Sequence, residues 1–176
     1  MALIIVGYQG IGKSTVAKNV DGFIDFESSC FFVDGKRSED WYIAYCQCAI
    51  NIADQGYTVF VSSHKAVRDY LSSLPLPKDV SIVTISPDIS LKDDWILKLD
   101  TRYKATGLDK DFKAFANANV SYDSNVKDIQ ESSGFTHVII TNIKYDLQDI
   151  ISTLEKVLFI PGVTGFRGTY DEYYII

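Results

Sequence analysis

The sequence predicts an α/β fold, a three-layer sandwich in which helices cover both faces of a five-stranded parallel sheet. Two observations carry this. Short β-branched and aromatic runs alternate along the chain with segments whose apolar residues recur at helical spacing. The first run, Ala2-Leu3-Ile4-Ile5-Val6, opens directly into a glycine-rich turn that leads into a helix. With 176 residues, 47% of them hydrophobic, the chain has the apolar material for one ordinary core and is too apolar for a disordered segment.

The elements follow in order. After the first strand, a helix is expected from about Lys13 to Asn19, and Gly22-Phe23-Ile24-Asp25-Phe26 reads as a second strand. From Asp40, the apolar positions Trp41, Tyr45, Cys48 and Ile52 keep helical spacing as far as Gln55-Gly56. Tyr57-Thr58-Val59-Phe60-Val61 is a third strand. A helix from about Lys65 to Ser72 then ends in the breaker Leu74-Pro75-Leu76-Pro77. Val80 to Ile85 is a fourth strand, with Ser86-Pro87 as its stop. Leu91, Trp95, Leu99 and Arg102-Tyr103 share a helix that ends before Gly107, and residues 109–133 read as helical in two pieces. Together these form a lid-like segment over about 91–133. His137-Val138-Ile139-Ile140-Thr141 is the fifth strand, and Leu147, Ile150, Ile151, Leu154 and Leu158 mark the last helix. One domain thus spans 1–160. The tail from 161 to 176, with three glycines and four aromatics, falls outside the alternation, and its role stays open between surface packing and an interface.

Charge narrows the function classes. The net charge is −6 and the arginines number four, at 37, 68, 102 and 167, which argues against extended binding along nucleic acid. Cys30, Cys46 and Cys48 lack metal-ligand spacing and read as buried free thiols. The N-terminal apolar run has no cationic flank and is too short to span a membrane, so a reducing, cytoplasmic setting is expected.

The turn Gly7-Tyr8-Gln9-Gly10-Ile11-Gly12-Lys13-Ser14-Thr15 fits G-x-x-x-x-G-K-[ST], the Walker A phosphate-binding pattern. Glycines let successive N–H groups turn inward onto phosphate oxygens, and the following helix start favours the same anion. Gly7, Gly10, Ile11, Gly12, Lys13, Ser14 and Thr15 are therefore expected to hold ATP, with the Ser14 hydroxyl on Mg²⁺ and Lys13 on the outer phosphates. Ligands of such sheets bind beyond the carboxyl ends of the strands. There the second strand ends in Asp25-Phe26-Glu27, two carboxylates able to serve metal or acceptor, or else to cap a turn. Arg37, His64, Arg68 and Lys98 are candidate substrate contacts, each with an ordinary structural alternative. Arg102 is a candidate lid cation, and Asn142-Ile143-Lys144 is a place where a base could rest. His137 reads as structural. No carboxylate tips the third strand, where ATP-driven motors usually place one; Ser62-Ser63-His64 stands there instead.

Taken together, the Gly7 to Thr15 turn, Asp25-x-Glu27 and the Lys98/Arg102 helix resemble the P-loop small-molecule kinases. The pattern is nearest to nucleoside monophosphate, shikimate and gluconate kinases. Ile-Asp-Phe-Glu-Ser-Ser, Val-Ser-Ser-His-Lys and Arg-Tyr-Lys-Ala-Thr-Gly also look like nucleotide kinases proposed in bacteriophages. The resemblance covers roughly residues 2–158. It implies strand order 2-3-1-4-5, an acceptor segment after strand two and a lid after strand four. It also implies catalytic roles for Lys13, Asp25 and Arg102 and a metal role for Ser14 and Asp25. No lid arginine pair and no Gly-Phe-Pro-Arg segment is present, which leaves the acceptor open. The expectation is a Mg²⁺- and ATP-dependent kinase, monomer or homodimer, acting on a nucleoside monophosphate. The alternatives are a kinase of another acceptor, such as a modified base or a small metabolite, and a nucleotide-binding ATPase or switch.

Overall fold

The computed structural model describes residues 2–32, 34, 36–158 and, as backbone, 172–175. In chain order these form β1 (Ala2–Gly7), α1 (Lys13–Asn19), β2 (Phe23–Asp25), α2 (Trp41–Asp54), β3 (Thr58–Val61), α3 (Lys65–Ser73) and β4 (Val80–Pro87). Then come α4 (Lys92–Thr106), α5 (Asp109–Gln130), β5 (Thr136–Ile140), α6 (Leu147–Leu158) and β6 (Glu172–Ile175). Short 3₁₀ turns sit at Ser28–Phe31 and Ile89–Leu91. The sheet runs β2-β3-β1-β4-β5-β6, every pairing parallel, so the expected order 2-3-1-4-5 holds.

Strand periodicity explains the layers. Side chains of a strand alternate between faces, and β1 is buried along its whole length. Leu3 and Ile5 pack into one core with Val16 of α1, Trp95 and Leu99 of α4, α5 and α6. Ala2, Ile4 and Val6 pack into the other, with Tyr45, Cys46 and Ala49 of α2 and with Val67 and Leu71 of α3. A continuous apolar run was therefore the correct signature of a strand covered twice.

Three expectations need correction. The sheet has a sixth strand, because residues 172–175 of the tail pair with β5 from Thr136↔Glu172 to Ile139↔Ile175. The rest of the tail lies outside the described residues. β4 runs on through Ser86 and Pro87, since Pro87 stands at the strand's last position and the next amide, Asp88 N, donates to Ile140 O at 2.8 Å. Only Cys46 is a buried thiol; Cys30 and Cys48 are exposed, Cys48 because it lies two residues on along α2 and so on another face.

The helical segment after β4 behaves as its sequence suggested. Gly107 closes α4 in the left-handed region, φ +63°, and α5 kinks at Ser121. Among the described residues no helix is long and apolar enough to cross a membrane.

Candidate functional site

The site begins where β1 ends. Gly10 and Gly12 take φ of +86° and +105°, and only glycine occupies such positions freely. A Cβ on Gly7 would come within 2.4 Å of Ile11 Cδ1, and one on Gly10 within 2.9 Å of Leu99 Cδ2. The loop thus has no room for side chains at either point. Its carbonyls are held from outside: Trp95 Nε1 donates to Gln9 O at 2.9 Å, and Tyr145 OH donates to Ile11 O at 2.9 Å. Gln9 Nε2 in turn donates to Ala114 O at 3.0 Å, tying the loop to α5. The first backbone bonds of α1 run from Thr15 and Val16 to Gly12 O, which leaves the Lys13 and Ser14 amides ahead of the helical ladder.

Lys13 Nζ donates to Gly7 O at 2.7 Å, bridging the two ends of the loop. Burial lowers its pKa from the ordinary lysine value, against the upward pull of Asp25 and Glu27, while Arg102 adds to the lowering. Across the loop, Ser14 Oγ donates to Asp25 Oδ2 at 2.5 Å. This hydroxyl and carboxylate come from α1 and β2, and β2 delivers Asp25 because its partner on β3, Phe60, fixes the register. Glu27 lies beyond, 3.7 Å from Lys110 Nζ at the start of α5. Among the described residues no group of three or more His, Cys, Asp or Glu forms a metal cage. A cation beside Ser14 and Asp25 must therefore complete its shell with ligand oxygens and water.

A second cluster occupies the ends of β2 and β3. The Arg37 guanidinium lies over the rings of Phe32 and Trp41, 4.4 and 4.2 Å from their centroids. Its Nη2 donates to Ser28 Oγ at 2.6 Å, and its Nη1 lies 3.3 Å from His64 Nε2. Arginine can only donate, so Nε2 accepts and the His64 proton sits on Nδ1, against Ser62 Oγ. Burial, with Arg37, Arg68 and Lys13 around it, lowers the His64 pKa and favours this neutral ring. Among the described residues, Arg37 Nε is buried and has no hydrogen-bond partner. Among the described residues the hydrogen-bond partners of this guanidinium are neutral, so no carboxylate offsets its charge there.

Helix α4 supplies two more cations. Arg102 pairs with Asp111 at 2.7 Å, and the buried Asp111 also accepts from Thr106 Oγ1 at 2.6 Å, across the turn between α4 and α5. Lys98 Nζ donates to Tyr145 OH at 2.9 Å and lies over the Trp95 and Tyr145 rings. Burial, and secondarily Arg102, push its pKa down to about 8. Beside these groups a cleft of about 340 Å³ opens, lined by Gly12, Thr15, Asn19, Lys98, Tyr145 and Asp146 among others.

The structure gathers most of the expected residues. Gly7 to Thr15, Asp25 and Glu27 converge at the strand ends, with Arg37 and His64 on one side and Lys98 and Arg102 on the other. Arg68 is not brought to the loop. Its guanidinium is buried and donates to Ser63 O, Ser132 Oγ and Asp128, which pins α3 to α5. His137 is buried and bonded to Thr84, as its place in a strand suggested. Three contacts to the loop and to Glu27 escaped the sequence reading: those of Trp95, Tyr145 and Lys110. Trp95 read as core because it sits on the apolar stripe of α4, and only its indole N–H distinguishes it from a purely packing residue.

No protein-family model matches the chain, and no curated protein matches it. Among solved structures, an uncharacterized protein from Eubacterium ventriosum ATCC 27560 is similar, with a TM-score of 0.48 and 14% identity. The match covers 90% of this chain and 97% of that one, and it carries no functional argument.

Proposed function

We propose that the chain is a Mg²⁺- and ATP-dependent phosphotransferase whose acceptor is a nucleoside monophosphate. The observation that carries the reading is the meeting of Ser14 and Asp25 at 2.5 Å beside a loop bridged by Lys13. The residues fit the groups they would hold. Gly7 and Gly10 let the loop close tightly on Ile11 and Leu99, the backbone at Gly12 is less crowded, with Leu147 3.8 Å from where a Cβ would stand, and a hydroxyl with a carboxylate is the hard oxygen pair that Mg²⁺ prefers.

When bound, Mg²⁺–ATP supplies the transferable phosphoryl group and part of the charge neutralisation that transfer needs. The chain's own residues position and neutralise. Lys13 is free to exchange its bond to Gly7 O for phosphate oxygen, at little electrostatic loss. Asp25 holds the Ser14 hydroxyl in orientation. Arg37, whose hydrogen-bond partners among the described residues are neutral, takes the acceptor phosphate, and the Phe32 and Trp41 rings beside it suit a planar base. Arg102, steadied by Asp111, faces the developing charge from the lid. The cleft at Thr15 and Tyr145 accommodates the base of ATP.

The test is transfer from γ-labelled ATP, with Mg²⁺, to a panel of nucleoside monophosphates, read by chromatography of the products. A labelled nucleoside diphosphate from at least one acceptor is the expected result. Release of inorganic phosphate alone across the panel would favour the ATPase or switch reading, which the absence of a carboxylate at the β3 tip disfavours.

A further inference from the structure

We propose that Lys98 and Tyr145 form a hydrogen-bond relay that strengthens the phosphate loop's hold on a triphosphate without Lys98 touching it. The inference deepens the phosphotransferase reading and rests on it for the identity of the ligand.

The direction of the relay follows from donor chemistry. An ammonium only donates, so at the 2.9 Å contact between Lys98 Nζ and Tyr145 OH the phenol oxygen accepts. Its own proton is then directed to Ile11 O at 2.9 Å, with Gly10 O a longer 3.5 Å away. Burial holds the Tyr145 phenol well above the usual tyrosine range, so that proton stays in place. Ile11 C=O and Gly12 N–H belong to one planar trans peptide. A carbonyl drawn outward aims its partner N–H the opposite way, and the polarisation of one bond in such a chain strengthens the next. Lys98 thereby acts on the Gly12 amide through two intervening groups.

The surroundings keep Lys98 in this role. Its ammonium lies 4.4 Å from the Trp95 centroid and 4.5 Å from that of Tyr145. Those two rings are parallel within 1° at 6.0 Å. Trp95 makes the matching outward bond to Gln9 O, which belongs to the same peptide as the Gly10 amide. Helix α4 and the segment after β5 thus hold two loop carbonyls, those of Gln9 and Ile11, from outside, and Gly12 answers with a φ of +105° that other residues rarely adopt. Lys98 was expected as a substrate contact; the geometry makes it a positioning residue.

Calorimetric titration of the full chain with Mg²⁺–ATP tests this on Tyr145→Phe, Lys98→Met and the double variant. Each single change should weaken binding about three- to tenfold, the usual worth of one hydrogen bond. The double variant should bind no more weakly than Tyr145→Phe, because Lys98 has nothing left to act through. Losses that multiply would show that Lys98 contacts phosphate directly, and would overturn the relay alone. A wild-type chain that does not bind Mg²⁺–ATP would overturn the phosphotransferase reading, and the relay with it. A second measurement needs no nucleotide: the Gly12 amide proton resonance should move upfield in both single variants. An unmoved resonance in Lys98→Met would also sink the proposal.

Discussion

Asp25 accepts from Ser14 at 2.5 Å, and this contact makes a sharper prediction than the sequence spacing could. Asp25→Asn keeps the shape but loses the charge that a cation and the serine hydroxyl share. We expect transfer to fall by about a hundredfold or more, with smaller change in ATP affinity, because the backbone donors and Lys13 remain. Initial rates against acceptor at saturating Mg²⁺–ATP decide it, and normal transfer would remove Asp25 from the chemistry. Lys98 offers a test by pH. Burial sets its folded pKa to about 8, whereas a lysine in the unfolded chain titrates near 10.4. Between those values the unfolded chain holds a proton that the folded chain has released, so stability gains from this group as pH rises from about 8 toward 10. Below that window the folded chain carries a partly desolvated charge. Thermal midpoints should show Lys98→Met gaining relative to the parent near neutral pH, with the gap closing toward pH ~10. A gap that stays constant would mean that Lys98 titrates as an exposed lysine.

The α4–α5 hairpin explains why Arg102 cannot be judged from activity alone. Arg102 is the ion-pair partner of Asp111, a buried carboxylate that otherwise has the Thr106 hydroxyl. Arg102→Ala therefore strands a buried charge and loosens the turn around Gly107. We expect kcat to fall on the order of a hundredfold, as for loss of one contact to developing charge. We also expect a loss of about 1–3 kcal/mol in urea unfolding, the cost of leaving a buried polar group unpaired. Arg102→Ala combined with Asp111→Asn separates the two effects: stability should recover in part, while kcat should not. If the double variant regains activity, Arg102 serves only the hairpin. Arg68 is the simpler case on the other face. Its donors are consumed by Ser63, Asp128 and Ser132, so α3 and α5 owe their docking partly to it.

Over the whole molecule, the sequence was most legible where one physical signal acted alone. The doubly buried strands β1, β3 and β4 announced themselves by apolar runs, α6 by its stripe, and the loop by glycines whose missing Cβ atoms the fold requires. Legibility failed where the decisive partner was distant in the chain. Residues 172–175 become a strand because the edge of β5 is there to be paired, and nothing within that tetrapeptide announced a parallel neighbour. Pro87 reads as a stop, yet it is harmless at a strand's last position. Arg37 and Arg68 looked alike as loop and helix cations. What separates them is a carboxylate sixty residues from Arg68, and two rings flanking Arg37. The Trp95 and Tyr145 bonds to the loop were invisible for the same reason, since side chains far along the chain reach carbonyls that no motif specifies.

The chain has two tryptophans, and the fold puts one at each end of the site. Trp95 holds the Gln9 carbonyl within a sealed core, while Trp41 lies half-exposed against a guanidinium. On the phosphotransferase reading, each substrate would have its own intrinsic fluorophore. In Trp41→Phe, added Mg²⁺–ATP should change the remaining emission while a nucleoside monophosphate leaves it nearly flat; in Trp95→Phe the responses should be reversed. Such a pair of single-tryptophan proteins would allow the order of substrate arrival to be timed by stopped flow, with no label attached. A monophosphate signal carried by Trp95 alone would place the acceptor away from Arg37.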